Sequence, residues 1–424
     1  MTRIDPTEIR SKQRRTVLIS GASIAGPALA FWLNRAGFAV TVVEKAATLR
    51  RGGYPIDVRG TALEVVRRMG LLPYLREAHI DLRRLTFLEG DGDTVASLHP
   101  HAVSGGVAGQ DLEVRRGDLT DALYAAVRDD VEFMFHDSVA TLDQPGHGVD
   151  VTFRGGGTRT FDMVIGADGA HSHTRELAFG AEDLFHRYLG YCFAIFPLRN
   201  TFGLSHETVM WNTPGRAAAL YAVGETDEVH AFLNFAHPQP PYDALRDEGS
   251  QRQLLTDVFA DGGWEVPGLL AALRETEDVF FDAVSQIRMP RWSSGRVALV
   301  GDAAYAPSFL TGQGTSLALV GAYMLASSLA AASGDHAAGF AAYERDTREF
   351  VTLNQELVGE GDATLFPTTP EALKQRNDRL RKLSALPSAE PRPAHSALTL
   401  PEVPPMACDQ VQEPLHRSTL PPRT

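Results

Sequence analysis

The sequence is poor in cysteine and in clustered positive charge. Only Cys192 and Cys408 occur among its 424 residues, and their wide separation excludes both a disulfide framework and the closely spaced thiols of a zinc or redox motif. Arg and Lys total 40 against 53 Asp and Glu, which gives a net charge of -13 without any basic block. This balance disfavours nucleic acid and anionic membranes as partners. The scarcity of cysteine favours a cytoplasmic location.

We expect no targeting segment at the start of the chain. Arg14 and Arg15 precede an uncharged stretch, Val17 to Leu33, in the manner of a signal peptide. This stretch is shorter than the roughly 20 residues of a membrane-spanning helix, and the loop GASIAG interrupts it. We therefore expect a strand, a turn and a helix of a soluble protein here.

The loop GASIAG, residues 21 to 26, has two chemical interpretations. A hydrolase nucleophile elbow has the pattern G-x-S-x-G, which Gly21 and Ser23 fit but Ala25 does not. A dinucleotide-binding turn has the pattern G-x-G-x-x-G, which Gly21 and Gly26 fit with Ser23 in the middle. The strand before the loop and the helix after it favour the second interpretation, because the helix N-terminus then faces the phosphates. The expected pyrophosphate loop comprises Gly21, Ser23, Ile24, Ala25 and Gly26.

A carboxylate occurs where a dinucleotide requires one. The second strand, Ala39 to Val43, ends at Glu44, the position from which an acidic residue binds ribose hydroxyls. An acid at this position favours the unphosphorylated ribose of FAD or NAD over NADP in this pocket. Lys45 follows Glu44 and is a further expected cofactor contact.

Two later strands end in motifs of the same kind. One leads into Asp168 and Gly169 within FDMVIGADGAHSHTR, and the other leads into Asp302 within GRVALVGDAAYAPSFLTGQGTSL. Because FAD is long, one βαβ unit holds only its ADP half, and a second carboxylate at a strand end can bind the ribityl hydroxyls. Asp302 is the candidate for that role.

A Gly-rich turn then begins a long Ala-rich helix. The turn and first helical residues include Gly312, Gly314 and Thr315. A helix N-terminus directed at a flavin stabilises the negative charge of the reduced ring. Together the three motifs predict FAD as the cofactor.

With these motifs in this order, residues 15 to 358 resemble the FAD-dependent aromatic hydroxylases, the class A flavoprotein monooxygenases. The resemblance implies that Arg116, in VRRGDLTDAL, reaches the cofactor, and that Arg51, in RRGGYPID, lies in a loop near the flavin. The sequence departs from the family pattern at Tyr305, where the family often has His. It also has Pro307, Ser308 and Phe309 where a Pro-Pro pair is common, beside the flavin ring.

The resemblance implies a monooxygenase reaction. NADPH or NADH reduces FAD, O₂ then forms a flavin C4a-hydroperoxide, and the distal oxygen is transferred to an aromatic or polyketide-like small molecule. Epoxidation and Baeyer–Villiger oxidation use the same intermediate and stay open. No second dinucleotide fingerprint is present for the nicotinamide cofactor, and because the flavin carries the chemistry no catalytic acid or base is assigned.

The expected fold is α/β. A discontinuous Rossmann-like FAD-binding domain with long C-terminal helices accompanies a smaller, mostly antiparallel α+β domain for the substrate. The expected boundaries are a polar arm at 1–14, the FAD-binding domain at 15–80, 102–178 and 285–385, the substrate-binding domain at 81–101 and 179–284, and a Pro-rich, disordered tail at 386–424.

Six residues are weaker candidates for the substrate pocket, because each type is more often plain core. They are Phe193, Met210, Trp211, Tyr221, Pro307 and Phe309. No metal site is expected, since the pairs His99 and His101, and His171 and His173, have no third ligand at a recognised spacing. The oligomeric state is not readable from the sequence.

Other classes remain as alternatives. A flavin halogenase shares this fold but typically has a W-x-W motif, whereas the four tryptophans here are isolated. A flavin oxidoreductase that inserts no oxygen and a non-catalytic flavin-binding module also fit the motifs.

Overall fold

The structure, a computed structural model, describes residues 14–49, 54–104, 111–383 and 392–402. The strands are β1 (Thr16–Ser20), β2 (Ala39–Glu44), β3 (Pro55–Val58), β4 (Arg84–Leu88), β5 (Thr94–Leu98), β6 (Leu112–Arg115), β7 (Glu132–Phe135), β8 (Val139–Asp143), β9 (Val149–Phe153), β10 (Thr158–Phe161), β11 (Met163–Gly166), β12 (His186–Arg199), β13 (Glu207–Thr213), β14 (Arg216–Ala222), β15 (Glu228–Ala236), β16 (Phe280–Ile287), β17 (Ser293–Ser294) and β18 (Val297–Leu299). The helices are α1 (Ala25–Arg35), α2 (Thr61–Arg68), α3 (Leu72–Glu77), α4 (His101–Ser104), α5 (Arg116–Ala125), α6 (His173–Phe179), α7 (Glu248–Val258), α8 (Val266–Glu275), α9 (Asp302–Tyr305), α10 (Gly314–Ala331), α11 (His336–Glu356), α12 (Val358–Leu365) and α13 (Pro370–Leu383).

The first sheet has six strands in the order β17-β18-β11-β1-β2-β7. All its pairings are parallel except that of β17 with β18. The strands at its centre are buried on both faces, which explains their continuous Val, Leu and Ile content. Because parallel strands end at the same edge, Gly21, Glu44, Asp168 and Asp302 all lie along one edge of this sheet.

Helix α10 fills the centre of the same domain. It packs against α1 and α11, and almost every one of its residues is buried. Among the described residues this is the one helix long and apolar enough to cross a membrane, yet 78% of that stretch is buried inside the protein. Its composition is therefore that of a core helix. The long C-terminal helices α10 and α11 confirm the expected fold class.

The second sheet has seven strands in the order β16-β12-β15-β14-β13-β4-β5. Its pairings are antiparallel except that of β13 with β4. Helices α7 and α8 cover one face through Leu255, Phe259 and Leu269. The opposite face is directed at the first domain, where Tyr191 and Val284 pack with Leu310. Thus the mostly antiparallel second domain matches the expectation.

The last helices differ from the sequence-based boundaries. The expectation assigned residues up to 385 to the FAD-binding domain, but Leu380 of α13 packs with Leu85, Phe87 and Met210 of the second sheet. Phe366 packs in the same way against Tyr191. The helices after α11 therefore cover the second sheet, a long-range contact that has no local signal.

Part of the Pro-rich tail is ordered, contrary to the expectation of disorder. Residues 392–402, here called the strap, lie across the first domain. The carbonyl of Leu398 accepts a hydrogen bond from Thr61 (2.9 Å), and that of Pro401 accepts one from Tyr323 (2.7 Å). His395 is buried. Proline content alone could not distinguish a docked segment from a solvated one. Residues 1–13 of the polar arm and residues 403–424 of the tail lie outside the described residues.

Candidate cofactor and substrate site

The GASIAG loop has no space for larger residues at its two glycines. Gly21 has φ +108°, and a Cβ there would lie 2.5 Å from the carbonyl oxygen of Ala167. A Cβ on Gly26 would overlap the carbonyl oxygen of Gly21. The loop therefore packs directly on the neighbouring strand end, as the first and third glycines of a dinucleotide turn require. Ile24 and Ala25 are buried at the start of α1.

Glu44 fixes the same loop from the next strand. One oxygen of its carboxylate accepts a hydrogen bond from the backbone N–H of Ala22 (2.8 Å), and the other accepts one from that of Ala46 (2.9 Å). The carboxylate is half-buried beside the loop, which is the predicted position for a ribose contact. Lys45 is exposed next to it.

Arg116 connects the first and third motifs. Its guanidinium donates a hydrogen bond to Ser23 Oγ (2.7 Å). It is also the charge that lowers the pKa of Asp302, which the surrounding protein raises although the side chain itself is exposed at the sheet edge. Asp302 begins α9, and a Cβ on Gly314 would lie 3.8 Å from its Oδ1. The structure therefore brings Ser23, Arg116, Asp302 and the N-terminus of α10 together.

The carboxylate of Asp168 makes its hydrogen bonds within its own turn. Its Oδ2 accepts hydrogen bonds from the backbone N–H and the hydroxyl of Thr174 (both 2.9 Å), and its Oδ1 accepts one from Ser172. The carboxylate thus holds the turn between β11 and α6. Gly169 has φ +86°, and a Cβ there would meet nothing within 4 Å, so the space beside Gly169 is open. Buried Arg175 donates to Ala303 (3.0 Å) and ties this turn to α9.

A pair of buried amides holds the loop between α9 and the Gly-rich turn. Gln286 donates to the carbonyl of Pro307 (2.9 Å), and Gln355 donates to that of Tyr305 (3.1 Å). Ser308 in this loop has φ +78°, which is strained for a residue with a side chain. Sequence reasoning missed both glutamines, because they lie far from the loop along the chain.

The Gly-rich turn has features that suit a bound group. Gly312 is in the left-handed conformation with φ +64°. Gln313 is fully buried, and neither its amide nitrogen nor its amide oxygen has a hydrogen-bond partner within the described residues. Thr315 is buried in the first turn of α10, where backbone N–H groups lack intrahelical acceptors.

An aromatic wall, defined as Phe193, Phe280, Phe309 and Phe366, connects the second sheet with the loop before the Gly-rich turn. The rings of Phe193 and Phe309 lie 4.6 Å apart, and those of Phe193 and Phe280 lie 5.6 Å apart. Phe366 follows at 6.1 Å from Phe309. Phe280 and Phe309 are 38% and 41% exposed, so the wall has accessible ring faces.

The predicted pocket residues do not all share this space. Phe193 and Phe309 belong to the aromatic wall, and Pro307 lies two residues before Phe309. Met210 and Tyr221 lie on the face of the second sheet that also contains Phe193.

Trp211 does not lie on this face, contrary to the expectation that it lines the substrate pocket. It lies on the opposite face in the core beneath α7 and α8, because adjacent strand residues point to opposite sides. Its indole donates to Gly90 (3.0 Å). Arg51 lies outside the described residues.

A polar cluster near this space was not predicted. Asp57 in β3 pairs with Arg59 (2.8 Å), and Glu113 in β6 accepts a hydrogen bond from Tyr221 (2.8 Å). Burial, together with Asp57, raises the pKa of Glu113 to about 8. The alternation of polar and apolar residues in PIDVRG and LEVRR was the available signal.

The residues at the sheet edge fit a dinucleotide on their own geometry. The two closely packed glycines, the carboxylate of Glu44, the Ser23–Arg116 pair and the unpartnered amide of Gln313 lie on segments that converge at one edge. Among the described residues no group of three His, Cys, Asp or Glu side chains is placed to hold a metal ion. Fold and site together define a dinucleotide-binding protein with one mostly parallel and one mostly antiparallel sheet.

Comparison with known proteins gives the family. A family model described as FAD binding domain matches residues 14–356. A Mycobacterium tuberculosis protein of uncharacterized function is 44% identical over 347 residues, covering 82% of this chain and 93% of that protein. A flavin-dependent monooxygenase from an unknown prokaryotic organism is 38% identical over 371 residues, covering 86% and 94%. The crystal structure of tetracycline destructase Tet(55) has a TM-score of 0.79 and 35% identity, covering 92% and 99%.

The chain therefore belongs to the FAD-binding monooxygenase family. It is an oxidoreductase whose cofactor is FAD and whose substrate is a small molecule. NAD(P)H is the reductant typical of this family.

Proposed function

We propose that this protein hydroxylates an aromatic or polyketide-like small molecule with O₂ and NAD(P)H. The single observation that carries the substrate class is the aromatic wall, because the rings of Phe280 and Phe309 are exposed. Stacked and edge-to-face arrangements on such rings favour planar aromatic partners. A cytoplasmic location is part of the proposal, since NAD(P)H is available there.

The proposed cofactor contacts are those at the sheet edge. Gly21, Ser23, Ile24, Ala25 and Gly26 would hold the pyrophosphate at the N-terminus of α1. Glu44, with Lys45 beside it, would bind the adenosine ribose, and Arg116 would bind the cofactor next to Ser23. These contacts are supported by the glycine packing and by the hydrogen bonds of Glu44 and Arg116.

The flavin end would lie near α9 and α10. Asp302 would bind ribityl hydroxyls, and the turn with Gly312, Gly314 and Thr315 would face the ring with the positive end of α10. Asp168 and Gly169 would shape the adjoining turn. Bound FAD supplies the redox chemistry and the activation of O₂.

The protein's own contribution is position and the exclusion of water. The Gln286–Gln355 pair fixes the loop that contains Pro307 and Phe309, and so holds the Phe309 ring in the aromatic wall. A rigid apolar wall keeps a planar substrate in one orientation and limits the entry of water, which would otherwise divert the oxygen to peroxide.

The test is oxygen transfer. Purified holoenzyme with NADH or NADPH is mixed in turn with tetracycline, an anthraquinone phenol and a simple phenol. We expect at least one polycyclic compound to accelerate NAD(P)H consumption and to gain one oxygen by mass spectrometry. NAD(P)H oxidation that yields only hydrogen peroxide with every compound would contradict the proposal and favour a flavin oxidoreductase.

A matched pair of variants tests the aromatic wall. Phe309→Leu keeps an apolar side chain but removes the exposed ring, whereas Phe259→Leu removes a ring from the core beneath α7. We expect the first to raise KM for the oxygenated compound and to increase peroxide release. The second should lower thermal stability with little effect on KM.

A further inference from the structure

The strap docks directly on the start of α2. Gly60, the residue before this helix, has φ +53°, and a Cβ there would overlap the carbonyl oxygen of His395. Only glycine allows the two backbones to approach this closely. The side chain of His395 is 4% exposed, and Asn354 of α11 donates to the neighbouring carbonyl of Ala394 (2.9 Å). The strap is therefore held by α2 and α11 around His395.

The segment beneath His395 leads to the Gly-rich turn. The backbone N–H of Arg59 donates to Ser316 Oγ in α10 (3.1 Å), and the guanidinium of Arg59 pairs with Asp57 (2.8 Å). A Cβ on Gly312 would lie 3.1 Å from Asp57 Oδ2 and 3.7 Å from Arg59 Nη1. Residues 57–60 therefore lie against both the strap and the turn that is proposed to face the flavin.

The surroundings of the His395 ring disfavour its charged form. The Nε2 atom is buried and has no hydrogen-bond partner within the described residues. Burial is the main cause that lowers the pKa of His395 to about 4, and the positive charges of Arg59 and Arg392 lower it further. One of these arginines lies beside α2 and the other in the strap itself, so docking brings the ring between two cations.

The other side chains that bind the strap do not compensate for these charges. Arg68 of α2 is a further cation and donates to the carbonyl of Pro401 (2.6 Å). Tyr323 of α10 and Asn354 of α11 bind the strap through a hydroxyl and an amide. Among the described ion pairs none joins a carboxylate to His395, and the nearby Asp57 is paired with Arg59. A proton on His395 would therefore be unfavourable in the docked strap.

Protonation of His395 and docking of the strap therefore oppose each other. An unperturbed histidine, as in a released strap, has a pKa of about 6.5. Because docking lowers the pKa to about 4, the docked state has its full stability above about pH 6.5 and loses it as pH falls towards 4. The docking equilibrium constant should fall about tenfold between about pH 7.5 and about pH 5.5.

We propose that the docked strap positions the flavin end of the cofactor site through residues 57–60, and that protonation of His395 favours the undocked strap and thereby the loss of FAD. His395 is then a positioning residue that acts through Arg59 and Gly60. This inference rests on the proposed placement of the flavin end at Gly312. Because coupling between two binding events is reciprocal, bound FAD should in turn stabilise the docked strap.

The first experiment measures strap docking. Hydrogen exchange of the FAD-loaded protein is followed by mass spectrometry at about pH 7.5 and about pH 5.5, with rates corrected for the intrinsic exchange at each pH. We expect the protection of strap peptides to fall about tenfold in wild type. Peptides from α10 are the reference, since an equal fall there would show that the whole protein loosens in acid and would refute a local role of the strap.

The variant His395→Gln separates titration from packing. Glutamine keeps a polar side chain but does not titrate, so strap protection should be the same at both pH values. The same fall in the variant and in wild type would refute the role of His395.

A direct titration decides the point even where the variant alters docking. NMR of the wild-type protein with ¹³C-labelled histidine identifies the His395 signal as the one absent from His395→Gln. We expect its midpoint well below pH 6.5, near the value of about 4 for the docked ring. A midpoint at or above about pH 6.5 would overturn the proposal, because docking would then not discriminate against the proton.

The second experiment tests the link to the cofactor. Strap protection is compared at about pH 7.5 between the FAD-loaded protein and the same protein after FAD is removed. We expect FAD to increase the protection about fivefold or more. By reciprocity, the Kd for FAD should rise by the same factor when residues 392–424 are removed, relative to a chain that lacks only residues 403–424.

The possible failures are distinguishable. If strap protection falls in acid but is the same with and without FAD, the positioning of the cofactor site by the strap is refuted. If FAD protects the strap but pH does not change its docking, the role of His395 is refuted. Neither result bears on oxygen transfer, and the assay with tetracycline and the phenols decides the proposed function separately.

Discussion

One methyl group determines whether the GASIAG loop can reach its strand end. A Cβ on Gly26 would overlap the carbonyl oxygen of Gly21, whereas a Cβ on Gly359 in α12 would meet nothing within 4 Å. Both positions are glycines in a helix or at its start, so they differ mainly in the space around them.

We expect Gly26→Ala to lose most bound FAD and to lower the melting temperature, because the loop must move away from β1. Gly359→Ala is the matched control and should bind FAD normally with equal or slightly higher stability, since alanine favours a helix by up to about 1 kcal/mol. The yellow absorbance of purified protein and thermal unfolding measure the two effects. Equal FAD content in both variants would refute the role of this close packing.

His171 links the two domains through charge. It contacts Glu182 (2.9 Å) and Asp282 of β16 (3.4 Å), and these partners raise the pKa of the histidine to about 10. A histidine whose pKa is raised on folding contributes stability in full below about pH 6.5 and loses it as pH rises through the folded value. The side chain is 55% exposed, so solvent screening reduces the contribution.

We therefore expect His171→Asn to lower the urea midpoint at pH 6 and to approach wild type above about pH 10. His173→Asn is the control, because His173 contacts only Glu176 of its own helix among the described ion pairs. A difference between His171→Asn and wild type that does not change with pH would contradict the assigned ion pairs.

At the scale of elements, the strap is the segment whose contribution can be isolated by truncation. It hydrogen-bonds through its backbone to Thr61, Arg68 and Tyr323, and Asn354 of α11 donates to Ala394 (2.9 Å). These four side chains come from three helices, so the strap fixes α2, α10 and α11 relative to one another.

Removal of residues 392–424 should lower the melting temperature by about 3 °C or more, because several hydrogen bonds and a buried histidine are lost. A second truncation that removes only residues 403–424 is the control, and the difference between the two reports the strap alone. If both truncations melt at the same temperature, the strap contributes nothing measurable.

The sequence predicted those elements whose signals are local. The first βαβ unit was recognisable because Gly21, Gly26 and Glu44 occur within a few tens of residues in a fixed order. Trp211 was misplaced because alternation along β13 shows which residues share a face but not which face is directed at the pocket. The strap was missed because its partners, such as Tyr323, are distant in the chain.

The candidate site was predictable to a similar extent. Asp302 follows a strand that is evident from its residues, and Arg116 follows from the resemblance. Glu113 had no such signal. It is a candidate because Asp57 lies opposite it on the paired strand and Tyr221 donates a hydrogen bond to it, and only the strand register and the packing reveal these two contacts.

For the whole molecule, cofactor binding and stability should be coupled. A ligand that binds only the folded state stabilises it by about 2.7 kcal/mol at one hundred times its Kd. The side chain of Asp302 is exposed at the sheet edge, so water reaches its carboxylate in the protein without cofactor. Its replacement should therefore change the stability of the cofactor-free protein little, whereas the proposed ribityl contact needs the carboxylate.

We expect Asp302→Asn to melt at about the same temperature as wild type without FAD, and to gain less from added FAD. Thermal unfolding at several FAD concentrations measures both. An unchanged FAD-dependent increase in the variant would exclude Asp302 from the cofactor contacts.

The position of β1 in the middle of the first sheet has a consequence for synthesis. The strand is made first, yet its neighbour β11 and the carboxylate of Asp302 emerge from the ribosome far later. A nascent chain must therefore carry an open sheet edge through most of translation. On the proposed contact of Asp302 with the cofactor, FAD binding can be completed only after residue 302 of the 424 has been made.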